Sequence, residues 1–373
     1  MLNRLSNGVR SSAWRQAVLA GIAALLAIGA QAAPAYKIVP LDNSYYFETY
    51  VRGINNLGQV VGGGTGDRTI SSLVWTNGVL GWGGGTSRYS SGLAINDHGE
   101  GVGYSFNSGF PDDHAIYWNS SGSRNLIALE HVEGGQSYAM SINNSSQIVG
   151  ESLGPDGNSH AVFWQSPTAA AVILPALGGE GAGRVGSASA INEAGQVIGR
   201  SENASYQWRP TLWTNGVAAE LTGLDQALDI NNLGQIIGIR AIDGGGSRPV
   251  VWANGVSEDL LGLDGTYALG VSDINNLGQI LGTSLRANGE TAITLWDGER
   301  VIDVSKLVEE SGGALYSAVA FNDYGWIVGS GGAGTNVMLI PVPEPDAAAL
   351  MLAGGGVLVL GWARKKKGRL AKA

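Results

Sequence analysis

The chain contains no cysteine among its 373 residues. Disulfides, thiolate metal centres and a cysteine nucleophile are therefore excluded, and an exported fold has to be stable through its core alone. Histidine occurs only four times, at His98, His114, His131 and His160. No two of these have the spacing of a zinc site. HExxH, a G-x-S-x-G elbow and a phosphate-binding loop with lysine are all missing. Charged residues make up 14% of the chain, and nine of the 22 basic ones lie in the terminal segments. Between residues 33 and 345 there are 13 Lys and Arg against 30 Asp and Glu, a net of −17. Such a surface repels phosphate backbones and anionic lipids, which argues against nucleic acid as a partner. Cations, basic proteins and neutral glycans stay open.

Glycine, in contrast, is abundant at 59 residues, and hydrophobic residues reach 44%. Clusters of Gly, Ser and Asn alternate with short Val, Ile and Leu runs, the composition of many short strands joined by tight turns. Both ends depart from this texture. At the N-terminus Arg4, Arg10 and Arg15 precede an apolar run over residues 17–30, and Ala30-Gln31-Ala32 follows as a small-x-small cleavage site. Residues 1–32 are thus expected to be a secretory signal peptide, cut between Ala32 and Ala33. At the C-terminus Val342-Pro343-Glu344-Pro345 leads into the apolar segment 347–363 and then Arg364-Lys365-Lys366-Lys367. That segment is just long enough for a single transmembrane helix, and the basic cluster after it holds a cytoplasmic end.

The order Pro-Glu-Pro, short span, basic cluster resembles the PEP-CTERM sorting signal of Gram-negative bacteria. The resemblance implies an inner-membrane-anchored precursor, processing near Pro343, Glu344 and Pro345 by an exosortase, and delivery to the cell surface or extracellular matrix. Residues 341–373 are accordingly expected to be a sorting tail.

Between the ends the sequence repeats. INNLGQVVG begins at Ile54, and variants begin at Ile95, Ile142, Ile191, Ile230, Ile274 and Phe321. In the first six copies a tryptophan (Trp75, Trp118, Trp164, Trp213, Trp252, Trp296) follows 21–23 residues later. A period of 39–49 residues holding several short strands is that of a β-propeller blade. Each copy divides into four strands. The first ends at Ile-Asn, the second is the Gln-Val-Val-Gly run, the third ends at the Trp, and a weaker fourth follows Asn-Gly-Val. The intervening Asn-Leu-Gly supplies a tight turn, since Asn bonds its own backbone and Gly accepts positive φ. The last copy lacks a Trp and a fourth strand, while residues 36–41 look like a fourth strand with no repeat before them. The expected fold is all-β: a seven-bladed propeller over residues 33–340, closed by this N-terminal strand.

The repeats resemble the extracellular HAF-repeat family, named for a His-Ala-Phe triplet ahead of the Trp. The nearest forms are His114-Ala115-Ile116 and His160-Ala161-Val162, with Arg209-Pro210 and Arg248-Pro249 in other copies. The resemblance implies a surface or secreted protein and carries no chemical activity with it. A position that alternates His and Arg is expected to donate a hydrogen bond to a neighbouring loop. The oxygen-rich turns 154–158 and 297–299 are expected to be ordinary turns, with no metal and no cofactor. No carboxylate pair stands out from the repeat. Aromatic residues off the repeat pattern, Trp82, Tyr45, Tyr46 and Trp208, are the candidate ligand-binding residues, because exposed aromatics stack on sugar rings. The function expected is a non-enzymatic binding or structural module of the envelope or exopolysaccharide matrix. A glycan-degrading enzyme with carboxylates at the propeller mouth and a passive repeat without ligand are the alternatives.

Overall fold

A computed structural model describes residues 35–106, 113–129, 135–179, 185–308 and 315–342. The chain divides into Met1–Pro34 and Ala35–Ala373, and the first unit lies outside the described residues. So do the cleavage site at Ala30, Ala32 and Ala33, the segment 347–363, and the basic cluster Arg364 to Lys367. Among the described residues no helix is long and apolar enough to cross a membrane.

The described part is all-β and built from four-stranded antiparallel meanders. We label them by residues: A, 48–84; B, 89–125; C, 137–173; D, 186–220; E, 226–259; F, 268–303; G, 315–342. Sheets A and B touch through one parallel bridge between Ile70 and Tyr89. Sheet G has three strands of its own, and its fourth is Ala35–Pro40, antiparallel to Asn336–Val342 with Ala35 opposite Val342 and Pro40 opposite Val337. The first strand of each sheet lies against those of its neighbours, and the strands then step outward in order.

One local device recurs in every sheet. The first strand carries an irregularity two or three residues before its Asn, as between Val51 and Gly53. It drives a backbone carbonyl toward the second strand at the glycine that ends Val-Val-Gly. A Cβ at Gly62 would collide with the Tyr50 carbonyl oxygen, and at Gly150 with that of Tyr138. The last glycine of the repeat motif is therefore required by close approach of two backbones.

The core lies between sheets rather than within one. Val149, Ala161, Ala188, Val197 and Trp213 join C to D, and Ile198, Leu221, Ile236 and Val250 join D to E. Val51, Val60, Leu73 and Trp75 of sheet A pack against Ala320, Val328 and Met338 of G. The repeat tryptophans act as pegs across these junctions. Trp75, Trp164 and Trp213 are fully buried. Their indole N–H groups donate to the carbonyls of Asp42, Ile127 and Pro175, at 2.7, 2.8 and 2.7 Å. Burial of so large a ring, with its single donor satisfied, makes each Trp worth several kcal/mol, roughly 3–5 on truncation to alanine. Trp252 departs from the others, for its indole N–H has no acceptor among the described residues.

Candidate functional site

The Ile-Asn turns meet at one end of the sheets. In each turn the Asn side-chain oxygen accepts the backbone N–H four residues on, and in all but the Asn192 turn that two residues on as well, as Asn231 does from Leu233 and Gln235. Its amide nitrogen reaches across to the next sheet. Asn55 donates to the Asn96 carbonyl, Asn96 to Asn143, Asn143 to Asn192, Asn192 to Asn231, Asn231 to Asn275 and Asn275 to Asn322, at 2.8–3.4 Å. Asn322 then donates to Asn55 at 3.0 Å. The next position makes a second ladder. The N–H of Asn56 binds the Asp97 carboxylate, that of Asp97 the Asn144 side chain, and that of Asn144 the Glu193 carboxylate. Asn276 donates to Asp323, and Asp323 to Asn56. These side chains line a polar axial cavity of about 180 Å³. The carboxylates Asp97, Glu193 and Asp323 each accept a backbone N–H, which fixes their place among the turns.

A second carboxylate pair lies on the innermost strands of E and F. Asp229 accepts the N–H of Ile230 at 2.8 Å, and Asp273 accepts that of Phe321 at 2.7 Å. Burial, followed by the charge of Asp273, pushes the Asp229 carboxyl well above the ordinary carboxylate range. Burial raises Asp273 as well. The two buried carboxyls influence one another, and both hold a proton more tightly than an exposed carboxyl does.

The candidate residues do not converge. Tyr45 is 80% exposed before sheet A, and Trp82 is 62% exposed on its outer strand, opposite Leu73. Tyr46 is half-buried and packs against the core between G and A, its ring beside Gly64. Trp208 stands at the start of the third strand of sheet D, remote in the fold from the other three. His160 pairs with Asp156 of its own loop at 2.9 Å, and this hydrogen bond holds the Asp156 carboxyl below its ordinary range. The Asp156 carboxylate of the oxygen-rich turn 154–158 is thereby engaged, and Asp156 also accepts from Asn158 at 3.1 Å. Among the described residues no three His, Cys, Asp or Glu gather as metal ligands. His131 lies outside the described residues.

Around Trp208 the structure does assemble a cleft. It measures about 300 Å³ and lies between sheets D and E, at the end opposite the Asn turns. Glu202 pairs with Trp208 and Arg200 with Pro210, so Arg200 and Trp208 are diagonal neighbours on one face. The Arg200 guanidinium sits 4.6 Å from the indole centroid, a cation–π contact that orients the ring. Arg209, Asp225, Gln226, Ser187 and Ser189 complete the walls. Asp225 accepts the Ala241 N–H at 2.7 Å. Arg209 donates to Gln207 at 3.0 Å, while its Nε has no hydrogen-bond acceptor. The sequence flagged Trp208 but not Arg200, which joins it only through strand register.

Residues 341–365 match the PEP-CTERM protein-sorting motif. The chain is thus an exported protein with a C-terminal sorting signal, and the motif implies processing by exosortase. Of the motif, the described residues include Pro341 and Val342, which end the last strand of sheet G. No curated protein matches the chain. It is similar in structure to YCF48 bound to a D1 peptide, at TM-score 0.49 and 13% identity over 84% of this chain and 99% of that one. It is similar also to the β-propeller domain of the Trilobed protease from Pyrococcus furiosus, at TM-score 0.49 and 9% identity over 79% and 94%. TolB from Acinetobacter baumannii gives TM-score 0.42 and 13% identity over 92% and 73%.

Proposed function

We propose that the chain is a non-enzymatic glycan-binding module of the bacterial surface or exopolysaccharide matrix. The observation that carries the reading is the cleft between sheets D and E, where a 44%-exposed Trp208 stands among polar side chains. An indole face and a few convergent hydrogen-bonding groups are what a sugar ring needs. The frame that presents it is a seven-bladed β-propeller of HAF-type repeats. Closure by the strand Ala35–Pro40 is supported by its pairing with Asn336–Val342 and by the Asn322 to Asn55 bond. A signal peptide over residues 1–32 and a transmembrane tail over 347–363 deliver it, with an exosortase as processing partner.

The test incubates the full-length chain in detergent with the exopolysaccharide of its own host. Bound chain and new reducing ends are measured together. Saturable binding without new reducing ends is expected. New reducing ends would establish the glycan-degrading alternative, and neither binding nor release would establish the passive repeat.

A further inference from the structure

At the end where the Asn turns meet, each sheet presents one turn-tip side chain to solvent. The turn itself is made by its Asn and by the positive-φ residue after the tip, so its geometry does not dictate the tip side chain. Sheets B, C and D carry His98, Ser145 and Ala194 there. Sheets E, F, G and A, which follow one another through the Asn bonds, carry Leu233, Leu277, Tyr324 and Leu57. These four are 65, 66, 68 and 61% exposed. Trp326 joins the arc between Tyr324 and Leu57. It stands where the other turns have Gln or Glu, and its ring covers Gly58 so closely that a Cβ there would lie 2.3 Å from it. Charge divides the same way. The turns 55–59, 231–235, 275–279 and 322–326 hold one carboxylate, Asp323, bound by Asn56 and Asn276. The other three turns hold Asp97, Glu100 and Glu193. An arc of large apolar side chains that the turn does not require marks an interaction surface.

The chain leaves the fold inside this arc. The strand Asn336–Val342 runs toward the Asn turns, with Asn336 opposite Ser330 and Leu339 opposite Ile327. Pro341 comes beside the sheet G turn, its Cγ 3.7 Å from where a Cβ of Gly325 would be. Four residues, 343–346, separate Val342 from the apolar segment that begins at Ala347. That is a tether of at most about 18 Å. We infer that in the tail-anchored chain this arc rests on the lipid bilayer, with Leu57, Leu233, Leu277 and Tyr324 in the layer between headgroups and acyl chains. The inference rests on the reading of residues 347–363 as a transmembrane tail. A tail committed to the bilayer is not free to fold back over the arc, and the short tether holds the arc against lipid at high effective concentration. Four side chains are few for an anchor by themselves, so removal of the tail ends the contact. The net charge of −17 over residues 33–345 opposes anionic headgroups, and the surface that fits is zwitterionic. Docking of this end leaves the Trp208 cleft, at the opposite end, facing away from the membrane.

The test uses the absence of cysteine, which lets one label be placed at a time. A polarity-sensitive fluorophore is attached to the full-length variants Leu57→Cys, Leu277→Cys, Ser145→Cys, Tyr45→Cys and, within the tail, Leu358→Cys. Each is checked for an unchanged melting profile and placed in phosphatidylcholine nanodiscs. Quenching by a lipid-borne nitroxide is compared with quenching by iodide in the water. Labels at Leu57, Leu277 and Leu358 are expected to lose emission to the nitroxide and to escape iodide. Ser145 is expected to lose less to the nitroxide than Leu277, and Tyr45, before sheet A and away from the turns, to respond to iodide alone. Nitroxide quenching at Leu358 with none at Leu57 and Leu277 overturns the docked arc and leaves the transmembrane tail standing. Protection of Leu57 and Leu277 from iodide without nitroxide quenching also overturns it, and assigns the arc to the tail or to a second copy. Equal nitroxide quenching at Ser145, Tyr45 and Leu277 overturns it as non-specific adsorption. No nitroxide quenching at Leu358 overturns both the docked arc and the transmembrane reading.

Discussion

Sheets D and E begin their third strands with the same Arg-Pro step, yet their surroundings end in opposite states. In sheet E, Arg248 donates to Asp259 at 2.9 Å, Arg240 joins the same carboxylate, and Tyr267 lies 3.9 Å beneath the Arg248 guanidinium. In sheet D the equivalent carboxylate is Glu220, paired opposite Thr211 as Asp259 is opposite Val250. It stands 3.7 Å from Arg209, and Arg200 turns to Trp208 instead. One backbone frame thus supports a tight charge cluster and, one sheet away, a looser set of charges around an exposed Trp208. The difference is that between charges gathered on one carboxylate and charges held apart. It comes from side chains at variable repeat positions, while the frame beneath both is the same.

Breaking that shared frame has the largest effect. Asn231→Ala removes two side-chain donations and leaves the turn N–H groups of Leu233 and Gln235 without partners, while the Asn275 carbonyl keeps only the Gly278 N–H. It should cost about 3 kcal/mol in urea unfolding and loosen both junctions together. Trp208→Ala should act on one junction only, lowering polysaccharide affinity about tenfold with little loss of stability. Asp259→Asn sharpens the contrast from the other side. It should cost about 1 kcal/mol in urea unfolding, because Arg240 and Arg248 lose the carboxylate they share, and leave polysaccharide affinity unchanged.

The smallest effect at neutral pH is a slope. Because Asp229 and Asp273 are raised in the folded chain, the fold binds protons there that the unfolded chain has released. Stability is therefore fullest below the ordinary carboxylate range and declines as pH rises toward the raised values. Asp229→Asn should flatten this part of the pH–stability curve, as followed by urea midpoints at stepped pH.

Much of the frame was legible because it repeats. The turn glycine, as at Gly58 with φ +74°, and the buried Trp each recur at one spacing that a single chain displays several times over. What the Asn does was only half legible. Its bond to its own turn follows from local chemistry, but its bond to the next sheet exists only once the sheets are arranged. The Asp pair left a trace, since Asp229 and Asp273 precede Ile-Asn where other copies have Gly53, Ala94, Ser141, Ala190 and Ala320. The cleft left less. Arg200 occupies the place of Gly63, Tyr104, Glu151 and Ile239, a position with no rule, and meets Trp208 only through antiparallel register. Asp225 comes from the following sheet altogether.

The most direct measurement is hydrogen–deuterium exchange on the full-length chain with and without saturating oligosaccharide from its host's exopolysaccharide. The account predicts new protection at the amides of residues 199–210 and 225–227, with the equivalent stretch 238–249 of sheet E and the Asn turns unchanged. Protection at the Asn turns, or spread evenly over both junctions, would contradict it.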